Sequence, residues 1–590
     1  MSFLKLLAFN LFAAIAAAQG SLSPAGSDCP IAGPAFPFPS HLSSSSALSN
    51  AKDRFEALLA DKSKGFQTAD TAFAVAMFSA KENTTLYEHF YTSPNAEFGV
   101  EKVDVNTVFR IASLTKDPIT KYVPELASQA STVKPPAGTV YDDINDVRWD
   151  EVTLGELLSQ TSGIGFDVAL GELSALVPEH VLSATGLPPL SEDDVLKCGA
   201  NATMPQCTRR QFFDLLLKKH PVFPSSHSPN YGNMAFSILR YALEVMSGLS
   251  MEEMMTNSIF KPLGLTHSSY SKAPVTGGVI PGNDTRASGW DFNLGEANAA
   301  GSVFMSTGDL VKAGQAILQS ALLKPDTTRR WLKPKIQTGY LGASVGMPWE
   351  ISSLVLPNKH LVEYYAKDGD LLYYHSSLVL SPDHDVGFIV LTAGPQGIQL
   401  RTEIKNALGE IFMPAVEQQA QVEASTTFDG TYVDDATNSS VTLASGFQGS
   451  AGITIKSFVS YGVAIVGPGS PADNLLGLTN TTRLFPTTLK TVSPRSKGSG
   501  TFVSRLSFRG AFVPQMQPGV LQDPCMFTWV QVDTPTYGQK AMTDWVFNLS
   551  ENGAVTSVDL RMFKLNLQKV ANFNSRSNKP MRVGRRRLIR

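Results

Sequence analysis

The hydrophobic pattern of the chain predicts two β-hairpins. An apolar run at Thr71–Phe78 is followed, after a polar turn, by a strand-like segment at Thr84–Tyr91. A second hairpin is predicted from Leu371–Leu380 and Val386–Thr392, because the Ser381–Asp385 segment between them is rich in turn residues. Together the hairpins predict an antiparallel sheet.

Helices are predicted before, between and after these hairpins. Apolar residues recur at spacings of three and four from Phe236 to Met246, which is the period of an amphipathic helix, and Gly248 marks its end. Further helices are predicted at Ala51–Leu59, Gly308–Leu318 and Thr402–Phe412. The predicted fold class is therefore α+β, with an antiparallel sheet flanked by helices over residues 50–417.

The pattern changes near Gln418, where an Ala- and Gln-rich linker is predicted. Short alternating segments with Gly, Asn and Ser turns then predict a small antiparallel β domain over residues 418–574. Its predicted strands are Gly430–Val433, Ser440–Leu443, Gly452–Ile455, Thr501–Phe508, Trp529–Val532 and Val555–Lys564. Residues 575–590 hold seven Lys or Arg residues and are predicted to form a disordered basic tail.

The first residues and the sequons predict a secreted, extracellular glycoprotein. Residues 1–18 combine Lys5, an apolar run and the small residues Ala16–Ala18, as a cleavable signal peptide does, and residues 19–49 read as an extended lead-in. No later apolar stretch is long enough for a membrane anchor, and the net charge of −3 does not indicate a nucleic-acid partner. Glycosylation is predicted at the six N-x-S/T sequons, Asn83, Asn201, Asn283, Asn438, Asn480 and Asn548.

The four cysteines, Cys29, Cys198, Cys207 and Cys525, show no metal-binding spacing. Three pairings are possible. The loop between Cys198 and Cys207 is the shortest to close, so we predict that bond, with Cys29 bonded to Cys525. No metal and no cofactor are predicted.

The Ser113-x-x-Lys116 sequence is the first candidate for chemistry. Residues three apart share one face of a helix, so a hydroxyl group would lie beside an amine, as acyl-transfer nucleophiles require. The same spacing occurs at Ser49/Lys52, Ser131/Lys134 and Ser269/Lys272, so the motif alone is weak. Two later motifs add weight: Tyr231-x-Asn233 before a predicted helix, and Lys367-Asp368-Gly369 before the second hairpin.

These three motifs in this order resemble those of the serine β-lactamase and penicillin-binding protein superfamily. The Tyr-x-Asn motif is similar to that of the class C β-lactamase branch, and the added β domain looks like that of secreted fungal members. The resemblance implies a secreted hydrolase that acts on an ester or amide of a small-molecule or peptide-like substrate through an acyl-serine intermediate.

The resemblance also implies the roles of the site residues. Ser113 would be the nucleophile, with Lys116 and Tyr231 as the coupled base. Asn233 would orient Lys116 or the substrate, and Lys367, beside Gly369, would add positive charge. The backbone N–H groups of Ser113 and Asp370 would form the oxyanion hole. No oligomeric state is predicted.

The sequence departs from the family pattern at two places. Family members continue the Ser-x-x-Lys motif into a helix of several turns, whereas here Asp117-Pro118 follows Lys116 directly, and Lys121–Leu126 is no long apolar continuation. The alternative function is therefore a non-catalytic secreted glycoprotein that keeps the fold. The second departure is a pair of acids, Asp368 and Asp370, which we expect to repel the carboxylate of a penicillin.

Overall fold

A computed structural model of the chain describes residues 32–66, 68–82, 84–95, 98–111, 119–126, 142–165, 167–168, 172–199, 204–282, 284–446, 449–466, 470, 482–492, 504–511, 528–530 and 532–570. The chain divides into two compact units. The α+β unit comprises Phe38–Leu356 and Leu361–Ala420. The all-β unit comprises the described residues of Met1–Pro37, Pro357–His360 and Gln421–Arg590.

The α+β unit is built on an eight-stranded antiparallel sheet with the strand order β2-β1-β13-β12-β11-β10-β9-β8. Every residue of β1 (Ala72–Ser79) and of β13 (Val386–Ala393) is buried. Both faces of these central strands are covered, which explains why their sequences are continuous apolar runs without alternation. Both predicted hairpins are present, as β1 with β2 and β12 with β13.

The other strands of the α+β unit are β2 (Thr85–Tyr91), β3 (Phe98–Gly99), β4 (Val108–Ile111), β5 (Ser268–Tyr270), β6 (Val279–Ile280), β7 (Val303–Ser306), β8 (Ile336–Gln337), β9 (Ala343–Val345), β10 (Glu350–Val355), β11 (Leu361–Leu371) and β12 (Tyr374–Ser381). Three of them form a smaller antiparallel sheet in the order β4-β7-β5, and β3 pairs with β6.

The helices that lie wholly or partly in this unit are α1 (Ser46–Ala60), α2 (Leu154–Leu158), α3 (Leu173–Leu176), α4 (Glu179–Ala184), α5 (Arg209–Leu216), α6 (Asn233–Ser247), α7 (Met251–Met255), α8 (Lys261–Leu263), α9 (Asn298–Gly301), α10 (Thr307–Leu318), α11 (Pro325–Trp331) and α12 (Gly397–Phe428). A π-helical turn at Thr256–Phe260 joins α7 to α8, and 3-10 turns lie at Leu42–Ser44, Lys62–Lys64, Ile119–Lys121 and Gly295–Ala297.

Two helices are longer than predicted. Helix α1 begins at Ser46, inside the expected lead-in, because the Ser45 hydroxyl oxygen caps it by accepting from the Leu48 N–H at 3.2 Å. Helix α12 continues through the segment that was predicted to be a linker. Ala, Gln and Glu favour helix, and the burial of Met413 and Val416 adds packing energy that offsets the interruption by Pro414.

The Tyr231 motif lies beside a separate helical core made by α2, α5 and α6. The short segment after the Ser113 motif contributes Ile119, Val123 and Leu126 to this core, and all three are fully buried. Their spacing of four and three residues puts them on one side of the segment. Although the sequence predicts no long apolar helix after Lys116, this short segment therefore contributes three apolar side chains to the core.

The all-β unit holds a nine-stranded antiparallel sheet in the order β15-β14-β24-β23-β22-β19-β18-β16-β17, and β15 also pairs with β16. Its strands are β14 (Gly430–Asp434), β15 (Ser439–Ser445), β16 (Ile453–Ser460), β17 (Val463–Val466), β18 (Arg483–Val492), β19 (Ser504–Ala511), β20 (Thr536–Tyr537), β21 (Lys540–Ala541), β22 (Asp544–Leu549), β23 (Val555–Leu560) and β24 (Leu565–Lys569). The strand predicted at Trp529–Val532 is wrong, since residues 528–530 form a 3-10 turn.

The structure bears on three of the modification predictions. The Cys198–Cys207 disulfide is present, whereas Cys29 and Cys525 lie outside the described residues. Glycosylation of Asn548 is contradicted: the residue is 2% exposed within β22, and its amide group donates to Ser557 Oγ at 3.0 Å. Asn438 is exposed at a turn, as a glycan requires.

The remaining sequons, Asn83, Asn201, Asn283 and Asn480, lie outside the described residues. No helix among the residues that the structure describes combines the length and the apolar character needed to cross a membrane.

Candidate active site

The turn that carries Tyr231 is held by the loop that follows α2. The Gln160 carbonyl oxygen accepts from the Asn230 N–H at 2.7 Å, and the Gln160 side-chain oxygen accepts from the Gly232 N–H at 2.8 Å. Gln160 has a φ of 60°, a left-handed conformation that costs energy for a residue with a Cβ atom. In this conformation Gln160 accepts hydrogen bonds from the residue before Tyr231 and from the residue after it. Sequence reasoning did not identify Gln160.

A chain of two hydrogen bonds orients the Tyr231 hydroxyl group. Tyr231 Oη donates to Asn233 Oδ1 at 3.1 Å, and Asn233 Nδ2 donates to Asp167 Oδ2 at 3.1 Å. Because a carboxylate only accepts, Asp167 fixes the Asn233 amide with its oxygen toward Tyr231. Asp167 is buried, at 7% exposure, and was also missed in the sequence.

Lys367 of β11 approaches the same tyrosine. Its Nζ lies 5.5 Å from the centre of the Tyr231 ring, a cation–π distance, and 2.5 Å from Oε1 of Glu350 on β10. Burial lowers the pKa of Lys367, but Glu350, Tyr231 and Asp368 together outweigh that effect and the net shift of the pKa is upward, so Lys367 stays charged. Glu350 is a third residue that sequence reasoning missed.

Tyr231 stands at the edge of a cavity and stays a neutral phenol in this environment. Although 43% of the residue is exposed, the atoms around its hydroxyl group desolvate it and raise its pKa, and the Lys367 charge offsets only part of that rise. The cavity measures about 510 Å³. Its polar lining includes Tyr231, Asn233, Glu350, Lys367, Asp370, Ser376 and Arg401.

Asp368 and Asp370 are not isolated acids. Asp368 Oδ2 lies 2.7 Å from Lys405 Nζ, and Asp370 Oδ1 lies 2.7 Å from both Arg401 Nη1 and His375 Nδ1. Burial raises the pKa of Asp370, but His375 and Arg401 outweigh it and hold that pKa below its usual value. The expected repulsion of a substrate carboxylate assumed unpaired acids, and cations of α12 compensate both.

The structure therefore joins five of the predicted site residues around one cavity: Tyr231, Asn233, Lys367, Gly369 and Asp370. Ser113 and Lys116 lie outside the described residues. The strand that leads to them, β4, ends at Ile111, which pairs with Val303 of β7. Two residues before Val303, Gly301 lines the cavity.

Two family models match the chain. A model described as "Beta-lactamase" matches residues 64–410, more than half of the chain, and one described as "Beta-lactamase-like-like, C-terminal domain" matches residues 420–571. The fold, the site and these matches define a β-lactamase-like hydrolase. The chain belongs to the beta-lactamase family, within the serine β-lactamase and penicillin-binding protein superfamily, which confirms the family predicted from the motifs.

The chain is similar along most of its length to fungal proteins. A beta-lactamase-like protein from Arthroderma benhamiae is 27% identical over 452 residues, covering 72% of each chain. The probable hydrolase clz13 from Cochliobolus lunatus is 24% identical over 587 residues, covering 91% of each chain. A solved D-stereospecific amidohydrolase from Streptomyces sp. shares 17% identity at a TM-score of 0.39, covering 60% of this chain and 97% of that one.

Proposed function

We propose that this protein is a secreted serine hydrolase that cleaves an ester or amide bond of a small-molecule or peptide-like substrate through an acyl-Ser113 intermediate. The observation that carries the proposal is the meeting of Tyr231, Asn233 and Lys367 at one cavity, although the lysine is distant from the other two in sequence. Membership of the beta-lactamase family supports the same reaction class.

In the proposed reaction, Ser113 Oγ attacks the substrate carbonyl carbon while Lys116 and Tyr231, as a coupled base, take the hydroxyl proton. The backbone N–H groups of Ser113 and Asp370 stabilise the oxyanion. Collapse of the tetrahedral intermediate expels the leaving group, which receives that proton. Water then attacks the acyl-enzyme by the same steps and releases the acid product.

Tyr231 can accept a proton only as a phenolate. Its pKa is raised by burial, and the Lys367 charge acts in the opposite direction. The proposal assigns the rest of that stabilisation to the Lys116 ammonium group, since a nearby cation favours an ionised phenol. Asn233, fixed by Asp167, would keep the phenol oxygen aimed while its charge changes.

The test is covalent labelling with a fluorophosphonate, followed by peptide mass spectrometry. We expect the probe on the peptide that contains Ser113, and no labelling of Ser113→Ala. The matched control is Ser269→Ala, because Ser269 belongs to another Ser-x-x-Lys sequence but donates its hydroxyl proton to the Lys272 carbonyl oxygen at 2.7 Å. Labelling that survives Ser113→Ala, or that is lost only in Ser269→Ala, would show that the nucleophile is assigned wrongly.

Secretion is the second part of the proposal. The signal-peptide pattern over residues 1–18, the sequons and the Cys198–Cys207 disulfide support it, since disulfides persist mainly in oxidising compartments. Expression in a fungal host should release a protein whose first residue is Gln19. Retention of the activity inside the cells with residues 1–18 intact would contradict secretion.

A further inference from the structure

Glu350 contacts two consecutive residues of the third motif, Lys367 and Asp368, through its two carboxylate oxygens. Its Oε1 lies 2.5 Å from Lys367 Nζ, and its Oε2 accepts from the Asp368 N–H at 3.2 Å. The register of the sheet places Glu350 opposite Ala366, one residue before the lysine. The carboxylate is thus clamped against β11 by neighbouring strands, and its position does not depend on a flexible surface loop.

This ion pair lines the cavity, so it would interact with any charged group of a bound substrate. The Lys367 side chain is 18% exposed and that of Glu350 42%, and both line the cavity beside Tyr231. A lysine alone would attract an anionic group of the substrate. Paired with Glu350, it presents no net charge, and the carboxylate is the more accessible member of the pair.

The rest of the described cavity lining does not restore a positive field. Its charged members are three carboxylates, of Glu350, Asp368 and Asp370, and two cations, of Lys367 and Arg401. Arg401 is 7% exposed and is engaged with both aspartates, at 2.7 Å from Asp370 Oδ1 and 3.6 Å from Asp368 Oδ2. Lys405 of α12, which lies 2.7 Å from Asp368 Oδ2, balances the third carboxylate. A substrate carboxylate would therefore find no uncompensated cation among these residues, and the accessible Glu350 carboxylate would repel it.

We propose that Glu350 determines which substrate charge the site accepts, by neutralising Lys367 so that the site takes uncharged esters or amides and rejects those carrying a carboxylate on the acyl chain. This inference rests on the proposed hydrolase function and names its substrate class. It assigns Glu350 to specificity, because the residue compensates the charge of a binding lysine and takes no proton in the reaction.

The experiment compares two esters with acyl chains of equal carbon number, p-nitrophenyl hexanoate and mono-p-nitrophenyl adipate, of which only the second carries a carboxylate. The parent enzyme should prefer the hexanoate in kcat/KM. Glu350→Gln keeps the shape and removes the charge, and should shift the ratio toward the adipate on the order of tenfold, the effect of one partly screened charge. The matched control, Glu88→Gln, removes an exposed carboxylate at the far edge of the same sheet, on β2, and should leave the ratio unchanged.

A second measurement uses the parent protein alone, so it holds even if Glu350→Gln does not fold. Raising the salt concentration should increase kcat/KM for the adipate and leave the hexanoate unaffected, because salt screens the repulsion. A parent that prefers the adipate, or a ratio that neither the substitution nor salt moves, would overturn the role of Glu350 while Ser113 labelling still stands. If neither ester is hydrolysed and Ser113 is not labelled, the hydrolase function itself is wrong and this inference falls with it.

Discussion

The two sides of strand β11 hold their charges in different ways. Lys367, on the cavity side, is matched by one half-exposed acid, Glu350. Asp368, whose side chain lies on the other face of the strand although the residue also lines the cavity, is matched by Lys405 and Arg401 of helix α12, and Arg401 reaches Asp370 as well. In sequence the four residues from Lys367 to Asp370 look like one charged cluster, but neighbouring side chains of a strand point to opposite faces. One face of β11 therefore carries the Lys367–Glu350 ion pair beside Tyr231, and the other carries the ion pairs that connect the sheet to helix α12.

The largest effect is expected on the cavity side, from Tyr231→Phe. The ring that lies under Lys367 stays, but the group that takes part in proton transfer is lost, so kcat/KM should fall by about 10²–10⁴, the usual contribution of a general base. Ester hydrolysis and the rate of fluorophosphonate labelling measure the loss, and the melting temperature should change little.

The control for this substitution is Tyr340→Phe, at a tyrosine that is 72% exposed on the loop between β8 and β9. It should hydrolyse esters at the parental rate. If Tyr231→Phe keeps the parental activity, Tyr231 is not part of the base, and the role proposed for it at the cavity is wrong.

On the helix side, Arg401→Met should reduce stability and not only activity. Arg401 Nη1 also donates to the carbonyl oxygens of Ser376 at 3.3 Å and Gly369 at 3.4 Å. Methionine keeps much of the volume but leaves the carboxylates of Asp368 and Asp370 without their shared cation. We expect a loss of about 3 kcal/mol in the free energy of unfolding, near the lower end for a broken buried pair because Asp370 is partly exposed.

Chemical denaturation followed by fluorescence measures this change. Lys405→Met is the comparison, since Lys405 is 29% exposed and, among the residues that the structure describes, forms an ion pair with Asp368 alone, so about 1 kcal/mol or less is expected. Equal losses from the two substitutions would mean that the arginine does not bridge the acids as described.

The sequence predicts the hairpins, the order of the motifs and the family, because each depends on residues close together in the chain. It does not predict Asp167, Gln160 or Glu350, which reach the motifs only after the chain has folded. The role of Gln160 depends on a left-handed backbone conformation that is common for glycine and not for glutamine. The contact of Glu350 with Lys367 can be recognised only once β10 is known to pair with β11.

The extent of α12 illustrates a different difficulty. Local signals disagree there: Pro414 indicates an end, whereas the Ala- and Gln-rich residues beyond it favour helix. The burial of side chains on both sides of the proline, such as Met413 and Val416, decides in favour of one continuous helix. No window of sequence contains that information, because the partners of these side chains come from distant strands.

The smallest effect that we predict is the pH dependence of the stability contributed by Asp370. Burial raises the pKa of Asp370, but the hydrogen bond from His375 and the charge of Arg401 outweigh it and leave the pKa below the usual value. A carboxyl group whose pKa is lower in the folded state stabilises the protein above its unfolded pKa, about 3.9 for aspartate, and that stabilisation disappears as the pH falls through the folded value.

Asp370→Asn should therefore have a lower melting temperature than the parent at neutral pH, and the gap between the two melting temperatures should narrow once the pH falls below about 4. Melting curves of both proteins between neutral and acidic pH measure the gap, with Asp326→Asn, at an exposed aspartate of α11, as the control. A gap that widens with acidification would mean that Asp370 is destabilised as an anion, and the two sides of β11 would then not differ in how they compensate charge.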